Sequence, residues 1–151
     1  MKGLVPADRP DATPLVDAMP RADATPLAAE EIRQLVSIGF HGVLNGKVDE
    51  ARRLFEQLAV LRPGEGFPHI GTALALAAMG RPDEAAAVLE KVLAQRPDDD
   101  EVRVFLGMML RLARRDHHAR TVLAALSGRD GETPAHRLAR SLTAPARAAV
   151  P

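Results

Sequence analysis

Apolar residues in this chain recur at three- and four-residue steps over long stretches. Ile32, Leu35, Val36, Gly39, Phe40 and Val43 fall on one face of a helix. Asn45-Gly46 then interrupts the pattern, as such pairs do. A second run of helical spacing follows in Val48, Ala51, Leu54, Phe55 and Leu58, and it stops at Arg62-Pro63-Gly64. The pattern predicts two helices joined by a tight turn and closed by a proline, and an all-α protein.

The pair repeats. Gly46-Lys47-Val48-Asp49-Glu50-Ala51 is answered by Gly80-Arg81-Pro82-Asp83-Glu84-Ala85, Phe55-Glu56 by Leu89-Glu90, and Arg62-Pro63 by Arg96-Pro97, always 34 residues later. A further step of 34 reaches Ala119 and Leu123, which marks a third unit. Its turn carries Arg114 where the others carry Gly, and it has no closing proline. Terminal repeats often depart from the pattern in this way.

A 34-residue period of two antiparallel helices resembles the tetratricopeptide repeat (TPR) family. The family pattern is carried by Leu35-x2-Ile38-Gly39-x2-Gly42, Ala51-x3-Phe55 and Pro63. It returns as His69-x2-Thr72-Ala73-x2-Leu76, Ala85-x3-Leu89 and Pro97, and again as Arg103-x2-Leu106-Gly107-x2-Leu110 and Ala119-x3-Leu123. Gly39, Ala73 and Gly107 on the first helices, with Ala51, Ala85 and Ala119 on the second, are small enough to let the two helices approach. The large apolar residue four positions on (Phe55, Leu89, Leu123) fills the groove beside them. The large aromatics that the family carries at outer positions are missing.

The resemblance implies an α-solenoid of three tandem repeats over residues 26–128, at about 32–65, 66–99 and 100–128. Thr25 as N-cap and Pro26 at the first helical position would open it. Residues 1–25 are rich in Pro, Ala and Asp without a sustained apolar period and read as a disordered arm. Within it Asp11-Ala12-Thr13-Pro14-Leu15 anticipates Asp23-Ala24-Thr25-Pro26-Leu27 and resembles the start of a short helix, or is a coincidence of biased composition. Over 129–151, Glu132 to Thr143 suits a short capping helix, with Leu138 and Leu142 at i, i+4, before a frayed end.

Composition narrows the function. The chain has no cysteine, which excludes disulfides, cysteine–zinc sites and thiol catalysis. Its 20 basic and 20 acidic residues cancel, but not locally. Met1 to Glu101 holds 11 basic and 17 acidic residues, while Val102 to Pro151 holds 9 basic, all Arg, and 3 acidic. An acidic body with a basic end can pair with a second copy of itself, so a homodimer is one reading; a plain solvated surface is the other. No apolar h-region follows Met1-Lys2. The longest apolar stretch, Ile70 to Met79, is far short of the roughly 20 residues that a membrane span requires. A cytoplasmic protein is expected.

No constellation of residues supports catalysis, a metal site or a cofactor. His117 and His118 are adjacent, so on a helix they point about 100° apart, and His41, His69 and His136 fall in other elements. Asp98-Asp99-Asp100-Glu101 lacks the spacing and central Gly of a calcium loop, and is better suited to capping the helix that follows. Gly64-x-Gly66 follows a helix rather than a strand, with no Gly-Lys-Ser/Thr after it. Arg111, Arg114, Arg115 and Arg120 form a basic cluster without the aromatic platforms or overall charge of a nucleic-acid binder.

The expected function is protein binding. In the family the first helix of each repeat lines an inner groove, which by register assigns Val36, Phe40, Val43, Ile70, Leu74, Ala77, Val104, Met108 and Arg111 to that groove. TPR domains that grip the charged C-terminus of heat-shock chaperones use a clamp of Lys, Asn and Arg; the matching places here hold Val36, Phe40, Gly71, Glu101 and Phe105. The groove instead suits an apolar segment of a partner. The run Ile32 to Phe40, then Gly46 to Ala51 and Phe55 to Leu58, is similar to the first repeat of the small TPR chaperones of bacterial type III secretion, as is Gly71 to Gly80. That resemblance implies a client such as a secreted translocator, needle or early export subunit. The chain lacks the groove Tyr of that group. A scaffold or assembly factor of another bacterial machine is the alternative.

Overall fold

The computed structural model describes residues 27–127 and 132–144. Among them seven α-helices and no strand are present: α1 Ala29–Leu44, α2 Val48–Leu61, α3 Phe67–Ala78, α4 Pro82–Gln95, α5 Asp100–Leu112, α6 Asp116–Ser127 and α7 Pro134–Thr143. The arm of residues 1–25 lies outside the described residues.

The helix starts follow local chemistry. α1 begins at Ala29, later than the Thr25-Pro26 signal suggests, and there Glu31 Oε2 accepts the Ala28 N–H at 2.7 Å. A carboxylate in the first turn both satisfies an orphan donor and faces the positive end of the helix dipole. Asp99 caps α5 by accepting the Val102 N–H at 3.1 Å, the role expected of the acidic run. α4 and α7 each open on a proline, Pro82 and Pro134, whose missing N–H costs nothing at that position. Thr133 Oγ1 caps α7 by accepting the His136 N–H.

The three turns inside the repeats are built alike. Gly46, Gly80 and Arg114 adopt positive φ, at 77°, 75° and 62°. The next residue in each case bonds back across the turn: Lys47 N–H to Gly42 O at 2.8 Å, Arg81 N–H to Leu76 O at 2.9 Å, Arg115 N–H to Leu110 O at 2.8 Å. This left-handed closure satisfies carbonyls that a helix C-terminus leaves open. Glycine takes the conformation freely, whereas Arg114 adopts it against the clash of its Cβ.

The period also governs packing. Phe55, Leu89 and Leu123 are almost fully buried, each an apolar side chain whose burial stabilises by about 1.5–3 kcal/mol. A Cβ at Gly39 would come within 2.6 Å of the Phe55 ring, and one at Gly107 within 2.6 Å of Leu123. Phe55 is held from the other side by Gly71 of α3, where a Cβ would lie 2.2 Å from the ring. The place of Gly71 in the next repeat is filled by Phe105, which packs on the cluster that contains Leu89. A large residue on α2 meets the smallest on α3, and a smaller one on α4 meets a large one on α5.

Each helix packs on the next, and the first helices also stack in series, α1 on α3, α3 on α5 and α5 on α7. α7 touches both α5 and α6, as the first helix of a fourth repeat would. Its Ala135 and Ala139 close over Val104, Leu123 and Leu126. The molecule is an all-α solenoid of TPR type, closed at its C-terminal end by this helix.

Candidate protein-binding surface

The first helices α1, α3 and α5 form one continuous wall, and the side chains they leave uncovered on its free face define the candidate surface. Phe40, Leu74 and Met108 stand 34 residues apart and are all half-buried, packed on the core beneath and open above. Phe40 is supported by the buried Phe55, the two rings tilted with centroids 5.1 Å apart. Val36, Val43 and Ala77 are likewise half-buried around this stripe.

Two residues expected there are not available. Ile70 is 5% exposed and Val104 1% exposed. The register places them at the seam between consecutive first helices, where Ile70 joins the cluster of Val102 and Leu106, and Val104 lies under Ala135 and Ala139 of α7. The stacking of neighbours, rather than the groove, uses that position. Arg111 is exposed, and its Nη1 donates to the Leu142 carbonyl, which ties α7 to α5.

The surface gains residues beyond those that the repeat register assigned to the groove. Leu44 and Leu112, at i+4 from Phe40 and Met108, are 82% and 58% exposed. On α7, Leu138 and the half-buried Leu142 continue the period from Val104 and Met108 by a further 34 residues. The signal for them was the period itself, carried one step beyond the third repeat.

Arg111 is the charged residue that the register assigned to this face, and the other basic residues of its cluster lie further on. The basic cluster lies around the turn between α5 and α6, where Arg115 Nη2 comes within 3.9 Å of Glu90 and Nη1 within 4.0 Å of Asp83. His69, in the first turn of α3, is held below the ordinary histidine range by burial, with the nearby Arg96 charge adding to the effect. Among the described residues no group of three or more His, Asp or Glu could hold a metal ion, and no helix is long and apolar enough to cross a membrane.

The tetratricopeptide repeat family model matches residues 43–103 and 76–142, which together cover well over half of the chain. No curated protein and no solved structure matches it. The matched segments run from the end of α1 into α7 and carry the three left-handed turns described above. The chain therefore belongs to the tetratricopeptide repeat family, whose repeats form protein-binding modules.

Proposed function

We propose that the face formed by α1, α3, α5 and α7 holds an apolar segment of a partner protein, and that the chain serves as a cytoplasmic chaperone for a secreted subunit of a type III secretion system. The observation that carries this reading is the stripe of Phe40, Leu74 and Met108, with the exposed Leu44 and Leu112 beside it. A row of half-open apolar side chains rewards an apolar ligand, at about 0.8 kcal/mol for each methylene it covers. An extended strand or an amphipathic helix would each present side chains at a spacing that such a row can meet. The resemblance of the first repeat to secretion chaperones supplies the class of client: translocator, needle or early export subunits, whose apolar segments aggregate when exposed.

Co-expression tests the proposal. A client subunit that is insoluble alone should become soluble with this chain and co-purify with it. Clients of all three classes that remain insoluble, with this chain folded in the same cells, would refute the secretion reading and favour a scaffold role in another assembly.

A further inference from the structure

The first repeat ends the solenoid on a face that the later repeats have covered. Where α2 packs on α3 and α4 on α5, Thr72, Ala75 and Leu76, and Leu106, Met109 and Leu110, are all buried. The residues 34 positions before the first set are Ile38, His41 and Gly42. No helix precedes α1 among the described residues, and Ile38 is 61% exposed. Gly42 has no side chain where Leu76 and Leu110 stand. Beside Ile38 this leaves a cleft of about 590 Å³ between α1 and α2, lined by Gly39, Gly42, Ala51 and Leu54. Leu61, seven residues beyond Leu54 and so on nearly the same side of α2, extends the apolar face. Of the six large apolar residues that stand exposed among the described ones, four lie on α1 and α2 and none on α3 or α4, so the excess belongs to the uncovered end.

We propose that a second copy of this chain covers this face, in a two-fold symmetric dimer in which Ile38 of each protomer enters the cleft of the other. Two observations select a second copy. The first is shape. A two-fold contact brings the same patch of both protomers together, so a patch that matches itself carries a projection and a hollow side by side. Ile38 and the cleft that Gly42 opens are such a pair, one turn of α1 apart. The second is charge. Identical faces repel when they carry net charge. From Gln34 to Gly46 there is no Asp, Glu, Lys or Arg, a run that includes the exposed Ser37, Ile38, His41 and Asn45. Lys47 and Glu50, which also line the cleft, carry opposite signs and leave the patch neutral. The whole chain, with 20 basic and 20 acidic residues, adds no net repulsion between copies.

The contact leaves the apolar stripe open. Phe40 lies two residues from Ile38, about 200° round α1, so the stripe looks away from the two-fold contact and the dimer presents two of them.

Sedimentation equilibrium of the full chain over ~1–100 μM tests the proposal. The parent should fit a monomer–dimer equilibrium. Ile38→Glu places two charges in the contact, one from each protomer, and should raise the dimer dissociation constant at least about a hundredfold, about tenfold for each side. Ile38 is exposed, so circular dichroism should show the helices unchanged. Val60→Glu, at an exposed apolar position of α2 that does not line the cleft, should leave dimerisation unaltered. The absence of cysteine allows a second, geometric readout. Ile38→Cys protein mixed with Leu54→Cys protein and oxidised in a glutathione buffer should give mainly the mixed disulfide, separated on a non-reducing gel and mapped by mass spectrometry. A chain that stays monomeric over this range, an assembly that grows beyond the dimer, an Ile38→Glu protein that dimerises like the parent, or a mixed disulfide no more abundant than random pairing gives would each overturn the proposal. Dissociation by Leu112→Glu in place of Ile38→Glu would overturn it too, by moving the contact to the apolar stripe.

Discussion

Replacing Gly71 with alanine probes the seam between repeats at its tightest point. The added methyl would sit 2.2 Å from Phe55 Cδ1 and 2.3 Å from Cγ, well inside van der Waals contact. Cγ is the root of the ring rather than a flexible end, and Phe55 is fully buried between α1 and α3, so the ring has no free direction of retreat. Overpacking of this kind costs about 1–3 kcal/mol. Alanine in a helix interior returns up to about 1 kcal/mol relative to glycine. The net expectation is a loss of about 1–2 kcal/mol, seen as a fall in Tm of roughly 4–8 °C per kcal/mol for a folded body of this size. Gly64→Ala is the matched control, since a Cβ there meets nothing within 4 Å and the backbone is not left-handed. Phe55→Leu, which copies the residue of the other two repeats, should relieve the clash and give a coupling of at least about 1 kcal/mol in a double-mutant cycle with Gly71→Ala. Urea and thermal unfolding monitored by circular dichroism measure all four. A Gly71→Ala protein that melts at or above the Gly64→Ala protein would refute the packing argument.

Two other predictions concern stability. Arg114→Gly should stabilise by about 0.5–1 kcal/mol in urea titrations, because relief of the left-handed strain exceeds the extra freedom gained by the unfolded chain. His69 is held below the ordinary histidine value by burial, so the unfolded state takes up its proton first as pH falls. Its contribution is therefore fully present above about pH 6.5 and is lost as pH falls from there toward the lowered folded value. The stability of His69→Gln should accordingly fall less than that of the parent between about pH 7 and pH 5.

Most of the architecture was legible in the sequence because the period left its mark at several levels. Glycine or a substitute at 46, 80 and 114, alanine at 51, 85 and 119, and a large apolar residue at 55, 89 and 123 all agree on one register. The structure gives each a physical reason: a left-handed turn, a close approach and a filled groove. The groove itself was legible only in part. Ile70 and Val104 carry the same helical spacing as Leu74 and Met108, and single-helix periodicity cannot say which of two adjacent rows meets a neighbouring first helix. The covering of Val104 depends on α7, whose place as a fourth first helix follows from carrying Met108 on to Leu142. The start of α1 was misplaced because Thr25-Pro26 is a strong local signal, while the carboxylate of Glu31 satisfies the backbone at Ala28.

Binding of a partner by the apolar stripe is most directly tested by titrating a co-purified client against Leu74→Glu and Leu112→Glu. Leu74 lies on the floor of the stripe, while Leu112 is 58% exposed, so its replacement leaves the core untouched. Covering either side chain is worth on the order of 1–2 kcal/mol, and a glutamate would in addition lose its hydration on binding. At about 1.4 kcal/mol per factor of ten, affinity should fall at least tenfold in each variant while circular dichroism shows the helices intact. Arg120→Glu, exposed on α6 away from the stripe, should change mainly the salt dependence and the association rate. A folded Leu112→Glu or Leu74→Glu protein that binds the client with unchanged affinity would contradict the assignment of this face as the binding site.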